Sequence, residues 1–198
     1  MATRRTISQF KSKLVGGGAR PNLFEVVFTN SAVKAITGKD SSKSDFKQEE
    51  FSFLCKAASL PASNIAAVDV PFRGRIFKVA GDRTVDTWTV TVINDEDFLI
   101  RSAFEEWMQL IAHLDGNDGA TQPNAYMSSA SVFQLGRGDS ASSTDSKGPN
   151  TDQVALKEYK FIDMFPTNIS AIDLSYDSGD TIEEFTIEFA VNNFERVD

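Results

Sequence analysis

The 198-residue chain holds one histidine, His113, and one cysteine, Cys55. Nucleophilic catalysis needs a base beside the nucleophile, and no Ser or Cys motif accompanies His113. It falls in the last turn of an amphipathic segment, so it reads as a helix-end histidine, where the dipole favours an imidazolium. Cys55 follows Phe53 and Leu54 and reads as a buried, inert thiol. No second cysteine exists for an internal disulfide, and no Cys/His cluster has zinc-ligand spacing. Asp95-Glu96-Asp97 looks like a metal cluster, but consecutive helix positions point in different directions. Those acids instead fit a first helical turn behind Asn94 as N-cap, where carboxylates meet the orphan N–H groups. Gly16-Gly17-Gly18 lacks the Lys-Ser/Thr and the preceding strand of a phosphate-binding loop. GRGDS at 136–140 contains the tripeptide read by adhesion receptors, yet it sits in a low-complexity stretch where such strings recur by chance. The expectation is a non-enzyme with no catalytic residues, no cofactor and no metal.

Charge separates the chain into two parts. Residues 1–20 hold Arg4, Arg5, Lys11, Lys13 and Arg20 and no acid. Of 20 basic and 28 acidic residues in all, the remaining body therefore carries 15 against 28, a balance of −13. A basic arm could bind nucleic acid. It could equally dock on the acidic body of a neighbouring copy, and since that body would repel DNA, docking is preferred. Met1–Val15 has no apolar run and nothing approaches the ~18 residues of a membrane span, so neither a signal peptide nor membrane insertion is expected. Sixteen Phe against two Trp and three Tyr suggest a core of residues that ask for no hydrogen bond.

The elements that would carry this core are mostly strands. Val68, Val70 and Phe72, a bulge at Gly74, and Ile76–Val79 make one; Gly81-Asp82 reads as the turn. In the next, Trp88, Val90 and Val92 alternate with Thr87, Thr89 and Thr91, the period of a sheet with one buried face. Leu99, Ile100, Ala103, Phe104, Trp107, Leu110, Ile111 and Leu114 form a helical stripe, stopped at Asp115-Gly116. Further strands are expected over 22–29, 51–58, 130–135, 154–165 with Pro166 closing it, 169–176 and 181–191, with a turn at 178–180. The stretches 30–50 and 136–151 read as long exposed loops. About eight strands and one helix predict a mainly β fold, two packed antiparallel sheets or a β-barrel with one flanking α-helix. The expected organisation is a basic arm over 1–20 and one β-barrel domain over 21–198.

Three blocks also resemble a known family. Ala19–Phe28 (ARPNLFEVVF), Phe51–Ile111 with PFRGRIFKVAGDRTVDTWTVTVINDE, and Phe161–Glu195 with FPTNISAIDLSYDSGDTIEEF are similar, in order, to the tail tube proteins of contractile-tailed, T-even-type bacteriophages. The resemblance implies a structural virion protein, assembled in the host cytoplasm. Six subunits would form a ring, each giving four strands to one inner barrel. Rings would stack into a tube inside a contractile sheath, a conduit for DNA ejection. Its partners would be other copies of itself, the tail sheath protein, the baseplate tube initiator, and the tape measure protein and DNA passing through without specific binding. About 24 strands at ~4.8 Å give a circle near 37 Å across, and ~5 Å of side chain per side still leaves room for a duplex of ~20 Å. A closed ring also removes strand edges that would aggregate.

The resemblance marks Arg73, Arg75 and Arg83, in its FR-R and GDRT positions, as subunit contacts, the other reading being solvated strand edges. Asp173, Asp177, Glu184 and Glu188, on the polar faces of the last two strands, are expected to line an acidic bore. A basic lining would hold DNA more tightly with each phosphate contact. The same face could instead point to the sheath. Baseplate tube initiators and type VI secretion tube proteins share the fold and are the nearest alternatives. A monomeric ligand-binding barrel would need an interior free to receive a ligand, whereas the apolar faces look used by the core.

Overall fold

The computed structural model describes residues 6–14, 18–28, 48–116, 118–137, 154–177 and 179–197. The order is α1 (Ile7–Lys13), β1 (Phe24–Phe28), α2 (Gln48–Leu54), β2 (Cys55–Ala58), β3 (Ser63–Phe72), β4 (Arg75–Val85), β5 (Trp88–Ile93), α3 (Leu99–Ile111), α4 (Pro123–Tyr126), β6 (Ser128–Leu135), β7 (Ala155–Ile169) and β8 (Glu184–Val197). The fold is mainly β, as expected. Six strands form one antiparallel sheet in the order β1-β6-β7-β8-β5-β2, curled until its edge strands β1 and β2 approach within 8 Å between Cα atoms. Such curling is how a sheet hides its edges.

Alternation builds the core. Trp88, Val90 and Val92 of β5 lie on one face with their register partners Phe189, Ile187 and Phe185 of β8, and all six are buried. Val26 and Phe28 of β1, Ala130 and Val132 of β6 and Phe161 and Met164 of β7 join them, covered by Ile100, Phe104 and Trp107 of α3. Rings interlock at its centre, with Trp88 stacked 4.4 Å from Phe161. Both indoles find acceptors, Trp88 Nε1 donating to Ser59 O (2.8 Å) and Trp107 Nε1 to Tyr126 O (2.7 Å), which lets a polar N–H lie in an aromatic core.

Several expected elements differ. The hairpin turn falls at Arg73-Gly74, both with positive φ (44° and 80°), as a two-residue turn matching strand twist requires. Gly81 and Asp82 lie inside β4, where the register against β3 slips between Ile65 and Ala67. Residues 51–54 belong to α2 rather than a strand; this helix of about two turns seats Phe51 against Phe28 (4.9 Å) while leaving Phe53 exposed. Strand β7 runs through Pro166, at an irregularity of its pairing, and the Thr167 hydroxyl donates to Glu188 O (3.1 Å) where the proline cannot. The strand expected over 169–176 does not form: after Ser170, whose N–H donates to Thr186 O (2.8 Å), the chain leaves the sheet, and β8 begins at Glu184.

Helix α3 starts at Phe98, in the left-handed region with no side-chain cap. Asn94 instead ties to Glu183, its N–H donating to the carbonyl (2.9 Å) and its Nδ2 to Oε2 (3.0 Å), because strand pairing has the stronger claim on it. The helix ends at Ile111, not Gly116. Gly119 packs so close to the Ile111 carbonyl that a Cβ there would lie 2.1 Å from its oxygen. The loops expected over 30–50 and 136–151, Gly16-Gly17 and most of GRGDS lie largely outside the described residues.

Candidate assembly surfaces

Among the described residues, strands β3 and β4 pair only with each other. They continue a ribbon begun inside the sheet by β2 and β5: Ser59 N donates to Thr89 O (3.4 Å) and Asp86 N to Ala62 O (3.3 Å), carrying the ladder outward. At ~3.4 Å per residue the ten residues of β3 reach ~30 Å from the sheet. Register gives this hairpin two unlike faces. Val68 opposes Val79, Val70 opposes Phe77 and Phe72 opposes Arg75 on one; Asp69 opposes Lys78 on the other, with Nζ 2.9 Å from Oδ1. The apolar face is exposed and packs on no other described element of the subunit. Phe72 and Phe77 are each 65% exposed, Val68, Val70 and Val79 also stand open. A lone two-stranded ribbon is marginal in water, and a contiguous apolar patch marks an interaction site.

The three arginines separate. Arg73 and Arg75 sit at the tip, Arg73 stacking its guanidinium 5.5 Å over the Phe72 ring. Arg83 stays at the base, lying 5.3 Å over Phe194 of β8 and donating to Ser63 Oγ (3.2 Å), so it holds the ribbon to the sheet. The four carboxylates separate too. Glu184 and Glu188 lie on the face of β8 opposite the core, with Thr186, whose hydroxyl is 3.5 Å from that of Thr91. Glu184 pairs with Lys56 of β2. Asp173 and Asp177 lie off the strands, in the exposed excursion between β7 and β8. That excursion surrounds a cleft of about 640 Å³ lined by Ile172, Asp173, Leu174, Tyr176, Ile182 and Glu184. Leu174 is 81% exposed. Sequence reading treated these apolar residues as strand positions; their setting in a loop was not visible in their alternation.

His113 lies just beyond α3, its backbone N–H donating to Asp118 O (2.8 Å). Cys55 is buried, and burial raises its thiol to about 12, a backbone hydrogen bond to Ala57 opposing only in part. Glu25 of β1, missed in the sequence, is buried and accepts from Ser52 Oγ (3.4 Å), while its second carboxylate oxygen has no hydrogen-bond partner among the described residues. No group of three or more potential metal ligands occurs among the described residues, and no described helix is long and apolar enough to cross a membrane.

The subunit has one finished core and one bare apolar ribbon, the pattern of a surface that another molecule covers. The family model for the phage tail tube protein matches residues 19–196. The tail tube protein gp19 of Enterobacteria phage T4 is 33% identical over 180 residues, covering 91% of this chain and 93% of its own, and that of phage T6 is 32% identical over the same lengths. A chain of the anti-feeding prophage baseplate, solved by cryo-electron microscopy with six-fold symmetrisation, shares the fold at 9% identity (TM-score 0.59, 91% of this chain and 95% of that one). The chain belongs to the phage tail tube protein family, whose members are structural proteins of the virion and not enzymes.

Proposed function

We propose that this chain builds the inner tube of a contractile phage tail from stacked homohexameric rings. It would assemble in the host cytoplasm on a baseplate initiator, be enclosed by sheath, and let the tape measure protein and DNA pass without specific binding. The observation that carries this is family membership across nearly the whole chain. The bare apolar face of the β3/β4 hairpin supports it, since Val68, Val70, Phe72, Phe77 and Val79 can be covered by neighbouring copies. Glu184 and Glu188 stand on a sheet face that turns away from the core, the setting a bore lining needs; Asp173 and Asp177, off the strands, do not share that face. The basic arm over 1–20 is proposed to dock on a neighbour's acidic body. Its α1, closed by a Thr6/Gln9 capping box, buries no residue of its own.

Electron microscopy of the purified protein tests the proposal. Rings or tubes are expected. A chain that stays a 21.8 kDa monomer at high concentration and low salt, with initiator present, would overturn it. Val70→Asp with Phe77→Asp should leave the circular dichroism spectrum intact and abolish assembly.

A further inference from the structure

We infer that the hairpin tip of one copy seats in the acidic cleft between β7 and β8 of the next copy along the tube, so that subunits join head to tail. The inference rests on the tube assembly proposed above and names the two surfaces that meet.

The topology places them at opposite extremes. Strand β8 begins beside the cleft, where Glu184 pairs with Ile93 at the end of β5. At its far end, Phe194 lies under Arg83 at the hairpin base. The ten residues between Glu184 and Phe194 span ~34 Å, and the hairpin then reaches ~30 Å further along the ribbon. The tip therefore cannot fold back onto its own cleft. A contact between unlike surfaces at opposite ends is heterologous and repeats without closing along its own direction, as a stack requires.

The chemistry of the two ends is complementary. The tip offers Phe72, Arg73 and Arg75; among the described residues Arg75 has no ion-pair partner, and Arg73 lies over the Phe72 ring. The excursion over 171–184 carries Asp173, Asp177, Asp180, Glu183 and Glu184 and no Lys or Arg. Glu183 is held by Asn94 and Glu184 by Lys56, while Asp173, Asp177 and Asp180 have no ion-pair partner among the described residues. Leu174, Tyr176 and Ile182 supply the apolar walls an aromatic tip would fill. Arg73 also keeps a positive φ that glycine would adopt without strain, which fits a side chain retained for contact. Charge of opposite sign then selects the partner surface and its orientation.

The test uses two full-length variants. One carries Arg73→Glu and Arg75→Glu; the other Asp173→Lys and Asp177→Lys. Each alone, with an unchanged melting temperature, should stop at single rings or smaller species, with light scattering falling to that level. Mixed in equal amounts they should form tubes again, because the basic tip of the second matches the acidic cleft of the first and the reversed pair also match. Tubes from either variant alone, or a mixture that stays unassembled, would overturn the inference while leaving tube formation by the unsubstituted chain intact. Failure of the unsubstituted chain to assemble would overturn both readings. If either variant loses its fold, Phe72→Cys with Leu174→Cys decides: oxidised assemblies should give a ladder of disulfide-linked copies in denaturing electrophoresis, and tubes without a ladder would assign the cleft to another occupant.

Discussion

The guanidinium of Arg83 lies 5.3 Å over the ring of Phe194, and this contact joins the base of the β3/β4 hairpin to β8. It is a side-chain contact that sets the hairpin against the sheet from which it projects, while the Arg83–Ser63 hydrogen bond ties β4 to β3 within the hairpin. Arg83→Ala should therefore loosen the ribbon without unfolding the subunit. An exposed cation–π pair is worth ~0.5–1 kcal/mol. The expected result is a denaturation midpoint lowered by less than ~1 kcal/mol equivalent, with hydrogen exchange accelerated in β3 and β4 and unchanged in β5 to β8. Uniform acceleration through the sheet would show that Arg83 serves the core.

Phe189 stands at the centre of the aromatic cluster, its ring 5.3 Å from Trp88, 5.9 Å from Phe28 and Phe104 and 6.1 Å from Trp107. Removing it leaves a cavity whose stacked, ring-lined walls cannot easily collapse. Phe189→Ala should cost ~3–5 kcal/mol in urea denaturation. Phe72→Ala, at the exposed tip, should cost far less in the same assay.

Cys55 offers a pH test. Its folded-state thiol titrates near 12 against an ordinary value of 9.0, because burial disfavours the thiolate. A folded value above the unfolded one means that the stabilisation is complete below about 9 and is lost as pH rises towards 12. Native protein at pH 8 should resist alkylation by iodoacetamide, react fully once unfolded in urea, and lose stability between those two pH values. Cys55→Ser should alter the alkaline part of that loss. Rapid alkylation of the native chain would show that the thiol is open to solvent.

Reversing the proposed bore lining separates conduit from scaffold. Glu188→Lys should leave the subunit folded, since the side chain stands on the sheet face turned away from the core. Virions carrying it should build tubes and sheath but release DNA slowly, with the defect easing as salt shortens the screening length below ~8 Å. Normal ejection, or particles lacking sheath, would place this face outside the bore.

Period-2 alternation made the core legible from sequence: Trp88, Val90 and Val92, and Phe185, Ile187 and Phe189, are inward as their spacing demands. The helical stripe from Leu99 to Ile111 was equally readable, because 3.6-residue periodicity is local. What the spacing could not choose was which strands pair. By spacing alone Gly74 reads as a bulge and Gly81-Asp82 as the turn, and a turn at Gly81 would have paired the Val68–Val79 stretch with β5. Instead β5 lies between β8 and β2, where its apolar face meets Phe189, Ile187 and Phe185, and the preceding strands are left to close on each other at Arg73-Gly74. The same non-local competition decided the carboxylates. Asp173 and Glu184 show the same alternation in the sequence, yet the ladder stops at Ser170 and resumes at Glu184, sending one into a loop and keeping the other on the sheet. Side-chain pattern states which face of a strand seeks burial; only the packed sheet, with its finite number of partners, decides which segments obtain it.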